Sequence, residues 1–585
     1  MKGNESRWRL AIPPAPPPWS QDKALLLFTI ILIIVRLWLV TVFELLTSWT
    51  PHDDYLFISM AKSLLAGDWL GSYSEMTLIK GVGFPLFIAL AHLLGIPLLV
   101  AGQLMYSLAA WVAFLSLRWF CRNRWLSAFL FAALLFNPFM YNYPMAGHVL
   151  REPFAISLIT LCFSCLIGLS CRAARWLAGG RGLPQTMLWS AAFGLTATWL
   201  WYTREEGIWL LPPLTLGLLL FFLARGEEED CRFLIRRLLR RLALLVPPLL
   251  IFCLATFLIA WKNHHYYGVW IINELKSKEF VSAYGGLMNI DSGTFPAYVP
   301  VRVRTLQAAF AVSPTLRELE PRFLAIRSHW PPSFFIWTLR AMAHESGKIT
   351  SLPQALAFYR QVGDELAAAC QDGRLSCLNR RPSLQPPWHS WYNRRIIPEF
   401  TGLFAWAVGF DHLQDLPKRF EHDRSTFLNK TVYDDFRFVT QEKLVPTVSP
   451  PYFNYPDYYQ HLRVVKTDIL NNIAGFYPVL MPYLFAVACC LHLFFLGRDI
   501  IRRRLSLMSL WGLALFGGLV SLLAVLTYVK ITLWPVARTI YPAYALVLLY
   551  VVWMLAGGLQ GHTFFSKIGE FFPSGFWRRR RFLLF

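Results

Sequence analysis

The chain has 585 residues, 56% of them hydrophobic and 16% charged, and its mean hydropathy of +0.42 excludes a soluble globular protein of this size. A formal net charge of +21 invites a nucleic-acid partner, but much of the arginine lies in short loops between apolar segments, so the charge is assigned to membrane topology and nucleic acid is set aside. The 24 Trp and 23 Tyr suit aromatic belts at two membrane interfaces.

About ten spans of roughly 20 residues are expected in chain order. A Pro-rich stretch, Pro13 to Pro18, precedes the first, with no small-residue cleavage site after it, so no cleavable signal is expected. The first span runs near Lys23 to Leu46, and Lys2, Arg7, Arg9 and Lys23 put the N-terminus in the cytoplasm. The loop from Thr47 to Pro97 is then outside, and Phe84 to Leu94 within it is too short to cross. Further spans lie near Leu98–Phe120, Trp125–Met140, Pro153–Cys171, Thr186–Tyr202, Ile208–Leu223 and Leu242–Trp261. After a long polar insert come Phe476–Leu496, Ser506–Tyr528 and Ile540–Gly557, then a tail ending Arg578-Arg-Arg-Arg581. Each inferred cytoplasmic loop is Arg-rich and the short outer loops are not, which orients the whole chain. The division is an N-terminal membrane region 1–261 with its outer loop 47–97, an extracytoplasmic, mainly helical domain 262–473, C-terminal membrane helices 474–560 and a basic cytoplasmic tail 561–585.

Within the insert, Leu352 to Cys370 has the spacing of one amphipathic helix. Cys370 and Cys377 flank a turn-like hexapeptide, and outside the cytoplasm such a pair favours a disulfide over two free thiols. Cys162-Phe-Ser-Cys165 has redox or zinc spacing but sits in an apolar span, so it reads as buried structural cysteine. His264-His265, beside Tyr266 and Tyr267, reads as an interface cluster rather than a metal site. The acidic pair in Tyr433-Asp-Asp-Phe436 reads as a solvated face or turn. Arg36, in mid-span, needs a partner or a polar cavity.

The chemistry is expected at the first outer loop. Asp53 and Asp54 stand where the chain leaves the membrane, followed by Phe57, Met60, Ala61, Leu64 and Leu65 at helical spacing. Such a helix would lie along the bilayer surface with its carboxylates at the start. Lys80-Gly-Val-Gly-Phe-Pro-Leu-Phe87 returns a cation to that surface. Topology brings His148, Arg151, Glu152, Arg204, Glu205, Glu206, Lys530 and Arg538 to the same depth, as a site assembled from helix ends would require. Each alone reads equally well as a surface anchor, and Asp53 equally well as a helix cap with Asp54 favouring the helix dipole. The weight lies on the set. No Walker loop, GxGxxG or HExxH is present.

Asp53-Asp54-Tyr55, Lys80-Gly-Val-Gly-Phe-Pro-Leu-Phe87, Arg151-Glu152-Pro153-Phe154, Thr203-Arg-Glu-Glu-Gly207 and Arg538-Thr-Ile-Tyr-Pro542 occur in this order through the membrane part. In this the chain resembles the GT-C superfamily of integral membrane glycosyltransferases, in particular the branch containing protein O-mannosyltransferases and the bacterial lipid A aminoarabinose transferase. The resemblance implies transfer of a sugar from a polyprenyl-phosphate donor to a lipid, glycan or protein acceptor outside a plasma (inner) membrane. Asp53 would then be the catalytic base, with Lys80 and Arg538 holding the donor phosphate. Relatives usually carry Asp-Glu where this chain has Asp-Asp, so both carboxylates stand as candidates. Phosphate is a good leaving group, so one carboxylate and cations suffice, with inversion at the anomeric carbon. No cofactor is required, though a divalent metal bridging phosphate and carboxylates is compatible with the scheme. A transporter or flippase of a lipid-linked precursor, or a non-catalytic scaffold, are the alternatives; the first needs polar groups lining a path across the membrane.

Overall fold

The computed structural model describes residues 9–11, 15–16, 22–46, 53–142, 145, 147–177, 182–205, 207–223, 234–291, 293, 298–326, 334–411, 413, 415–416, 430–442, 444, 457–533 and 538–559. Most of the Pro-rich leader, Thr47–His52, Glu206, Arg225, Arg232 and the basic tail with Arg578–Arg581 lie outside the described residues.

The protein is an α-helical, multi-pass membrane protein. Its first helices are α1 (Lys23–Leu39), α2 (Asp54–Ala66), α3 (Gly83–Leu93), α4 (Leu98–Leu117), α5 (Arg124–Leu135), α6 (Arg151–Leu177) and α7 (Leu183–Trp201). They are followed by α8 (Leu211–Leu223), α9 (Leu234–Ala243) and α10 (Val246–Tyr267). The insert contributes α11 (Lys278–Asn289), α12 (Val303–Val312), α13 (Pro314–Arg317), α14 (Glu320–Ile326), α15 (Phe335–Glu345), α16 (Leu352–Gln371), α17 (Asn393–Gly409) and α18 (Lys430–Thr440). The chain closes with α19 (Asp457–Ile501), α20 (Leu507–Thr532) and α21 (Tyr541–Gly558).

Seven segments among the described residues are long and apolar enough to cross a membrane; they contain α1, α4, α6, α10, α19, α20 and α21. The three other expected spans coincide with α5, α7 and α8. At 12 and 13 described residues, α5 and α8 reach only about 18–20 Å, short of a hydrocarbon core of about 30 Å. α19 differs most from expectation: it is one helix of 45 residues, about 67 Å, so it continues well beyond any bilayer. Pro478 and Pro482 sit inside it.

α6 is buried on every side and centres the bundle, between α4 and α7 and against α21. At the Arg-rich end, Arg118 pairs with Asp22 at 2.5 Å, and two short strands, β1 (Arg9–Ala11) and β2 (Arg504–Ser506), pair in parallel. The segments read as cytoplasmic at positions 9, 22, 118 and 504 therefore share one end.

The insert divides by packing. α11 to α16 build a core of their own around Phe280, Leu287, Phe310, Phe323, Leu339 and Tyr359. α17 and α18 join the membrane core through Leu403, Ala407, Phe410, Val432, Phe436 and Val439. This corrects the reading of Tyr433-Asp-Asp-Phe436 as solvated. Val432, Phe436 and Val439 recur at helical spacing and dock α18 on α2 and α3. Asp435 is buried there, paired with Lys62 at 2.5 Å and accepting from the Tyr55 hydroxyl at 3.3 Å.

Cys370 and Cys377 form a disulfide at the end of α16. With free thiols blocked, a non-reducing digest should yield one linked peptide, and two separately alkylated thiols would count against it. Cys162 and Cys165 are buried free thiols. His264 stacks on Trp270 at 4.9 Å. Arg36 is fully buried, donating to Gln103 Oε1 at 2.6 Å and lying over the Tyr106 ring at 5.1 Å.

Candidate active site

The site is assembled at the bundle end opposite Asp22 and Arg118, from the start of α2, the segment before α3, the start of α6, the turn after α7 and the segment before α21. Asp53 is the residue before α2, and its carbonyl accepts the Phe57 N–H at 3.1 Å, but its side chain makes no capping bond. The expectation of a simple helix cap therefore fails, because cations have taken the carboxylate. Oδ2 accepts from Arg538 Nη2 at 2.8 Å, and Oδ1 lies 3.9 Å from Lys80 Nζ. Burial alone would raise the pKa of Asp53. Lys80, Arg538 and, less strongly, Arg151 outweigh it and hold the carboxyl below its ordinary value.

Asp54 is placed differently. It is 3% exposed and bonds His148 Nδ1 through Oδ2 at 3.0 Å. Burial pushes its pKa up, against the His148 contact, and the Asp53 charge adds to the rise. Two neighbouring carboxylates are thus driven apart, one toward the anion and one toward the acid.

Glycines let the segment after Lys80 pack closely against the turn after α7. Gly83 N–H donates to the Tyr202 carbonyl at 2.9 Å, and a Cβ on Gly81 would meet that oxygen at 2.0 Å. Gly81 N–H in turn donates to Glu205 Oε1 at 3.0 Å. Glu205 is also held by Arg151 Nη1 at 2.5 Å, and Arg151 reaches the Thr203 carbonyl at 3.0 Å. Although burial opposes ionisation, Arg151 and Lys80 keep the Glu205 carboxyl well below its ordinary range. Glu152 accepts from Arg204 at 3.2 Å through Oε1.

Asp53, Asp54, Lys80, His148, Arg151, Glu152, Arg204, Glu205 and Arg538 thus form linked contacts. Lys530 is engaged elsewhere, pairing with Glu399 at 2.8 Å and facing the Trp406 ring at 4.8 Å. One neighbour was missed in the sequence: Trp337 of α15, whose ring lies 5.7 Å from Lys80 Nζ. A tryptophan inside the distant insert carries no local sign of that contact.

Beside the site an apolar crevice is lined by Ile159, Leu200, Trp209, Leu522, Leu526 and Pro542, with Arg204 and Thr539 among them. Thr539 Oγ1, and Glu152 Oε2 behind Arg204, are buried with no hydrogen-bond partner among the described residues. Buried polar atoms of this kind usually find a partner in water or a ligand. Among the described residues no three His, Cys, Asp or Glu converge to hold a metal ion. The Asp53 oxygens face cations, which is not a metal-ligand set.

No family model and no curated protein matches the chain. Among solved structures, ArnT from Cupriavidus metallidurans in the apo state overlays at a TM-score of 0.30 and 15% identity, covering 92% of this chain and 78% of ArnT. The same enzyme bound to undecaprenyl phosphate gives 0.31 and 15%, covering 94% and 80%. The archaeal oligosaccharyltransferase AglB from Archaeoglobus fulgidus, in complex with an inhibitory peptide and a dolichol-phosphate, gives 0.39 and 10%. That overlay covers 97% of this chain and 53% of AglB, so this chain spans about half of AglB's length. Overlays this loose carry no argument, and the chemistry is read from the side chains of this chain alone.

Proposed function

We propose that this protein is an inverting membrane glycosyltransferase that moves a sugar from a polyprenyl-phosphate donor to an acceptor outside the cytoplasm. The observation that carries the reading is one ionised carboxylate, Asp53, held between two cations at the end of a membrane bundle. Lys80 and Arg538 neutralise Asp53. A donor phosphate competes for both cations, and as they turn to the phosphate, Asp53 loses its compensation and becomes a stronger base. It then takes the proton of the acceptor hydroxyl, whose oxygen attacks the anomeric carbon opposite the phosphate. The bond to the phosphate breaks, and Lys80 and Arg538 stabilise the departing charge. Asp54, buried against His148, serves to orient the loop. Arg151 and Arg204 brace it through Glu205 and Glu152. No step runs through a metal. The chain is assigned to a plasma (inner) membrane with both termini cytoplasmic and the insert outside, where the insert helps select a lipid, glycan or protein acceptor.

Apart from Arg36, the candidate ionisable groups lie at span ends, which disfavours a transporter. Closed off from solvent by Gln103, Ser107 and Tyr106, Arg36 lines no aqueous path.

The test is a lipid and glycan comparison of wild-type cells with a deletion strain, and with that strain rescued by Asp53→Asn or Asp54→Asn at equal expression. Failure of Asp53→Asn to rescue, with a polyprenyl-phosphate sugar accumulating and one envelope glycan losing a residue, is the expected result. Full rescue by both variants would remove the transferase reading.

A further inference from the structure

The segment leading into Lys80 is held from outside itself. Arg340 of α15 donates from Nε to the Glu75 carbonyl at 2.7 Å and from Nη2 to the Thr77 carbonyl at 3.2 Å. The Glu274 N–H donates to the Leu78 carbonyl at 3.0 Å, and Asn273 Nδ2 to the Ile79 carbonyl at 3.1 Å. Four of the five carbonyls before Lys80 therefore accept a bond from the insert. Leu78 has φ +58°, a left-handed conformation that an L side chain adopts only under constraint from its surroundings.

The donors are themselves rigid. Arg340 and Glu274 form an ion pair with no exposed side-chain surface, and the Tyr73 hydroxyl donates to Glu274 Oε2 at 2.9 Å. Trp337, one turn before Arg340 on α15, presents its ring to the Lys80 ammonium at 5.7 Å. The insert also holds the outer loop elsewhere, at Gly67, Trp69 and Gly71 and, through Asp435, at Tyr55 and Lys62. The contacts on residues 75–79 differ in ending on the peptide groups next to Lys80, where Trp337 supplies an aromatic face to that same lysine.

We propose that the insert sets the position of Lys80 for the donor phosphate, with Arg340, Glu274 and Asn273 as positioning residues acting through the carbonyls of residues 75–79. This rests on the reading of Lys80 as a phosphate ligand. Acceptor selection and donor binding would then be linked, because one folded unit borders both.

The experiment measures binding of a short-chain polyprenyl phosphate to the full-length protein in nanodiscs, alongside its thermal unfolding. Lys80→Ala sets the scale, with an expected loss of about 10- to 100-fold for a charged contact to phosphate. Arg340→Lys keeps a charge beside Glu274 but loses the planar fork that serves two carbonyls. It should weaken binding by about 5-fold or more with little change in unfolding temperature, and should add nothing further on a Lys80→Ala background. Binding equal to wild type in a folded Arg340→Lys, or losses that multiply in the double variant, would overturn the proposal. If Arg340→Lys does not fold, Asn273→Ala and Trp337→Leu leave the buried pair intact and carry the same comparison. Wild-type binding by Lys80→Ala would instead overturn the phosphate-ligand reading itself, and the proposal with it.

Discussion

Asp53→Asn is expected to lower the transfer rate by about 10²- to 10⁴-fold, the usual contribution of a positioned general base. The amide keeps the shape of the carboxylate and can still accept from Arg538, so the fold and donor binding should survive. Donor affinity should even rise, because Lys80 and Arg538 no longer have an anion of the protein to leave. Asp54→Asn is the control. Asp54 is buried against His148 and faces no cation directly, so its loss should cost less in rate and more in thermal stability. Purified protein with a defined donor and acceptor, assayed by single-turnover kinetics, separates the two. Equal rate losses in both variants would dissolve the division of labour between them.

The second large effect concerns Arg538→Ala. Removing one charged contact to a phosphate should weaken donor binding by about 10- to 100-fold. It should also move the pH profile, and the sign is fixed by the electrostatics. In the free protein Lys80, Arg538 and Arg151 overcome burial to hold Asp53 below its ordinary pKa, so its basic form persists to lower pH than usual. The acid limb of kcat/KM assigned to this group should therefore lie below the ordinary aspartate value of about 3.9. Without Arg538, burial is less opposed and the limb must move to higher pH. An unmoved or lowered limb in Arg538→Ala would show that Arg538 does not tune the base.

The helical membrane architecture was legible because hydropathy is written along the chain, and each apolar run of about 20 residues has few alternatives. The Arg-rich loops disclosed which segments share an end, and Asp22–Arg118 and the β1–β2 pair agree with that grouping. The candidate residues were legible as a set because topology sorts helix ends by depth. Their pairings were not. Nothing near Asp53 in sequence points to Arg538 rather than Lys530, since both cations sit at apparent span ends. Only the packing of α20 against α17 commits Lys530 to Glu399. α18 was misread because two adjacent aspartates outweighed the weaker stripe of Val432, Phe436 and Val439. The clamp on residues 75–79 was invisible for another reason. It is made of backbone carbonyls, which every residue carries, and of donors some 200 residues or more away.

Arg538 lies 485 residues beyond Asp53. During synthesis the carboxylates, Lys80 and most of the bracing arginines emerge and insert long before the second cation exists. A nascent chain thus has a loop that is chemically incomplete, with Asp53 held by Lys80 and, less strongly, Arg151 but lacking its hydrogen bond from Arg538. The two-cation geometry around Asp53 is completed only when the segment before α21 arrives, so the proposed activity waits on residues that follow most of the bundle. Truncation before Arg538 would leave a bundle with Asp53 and Lys80 in place and the second cation missing.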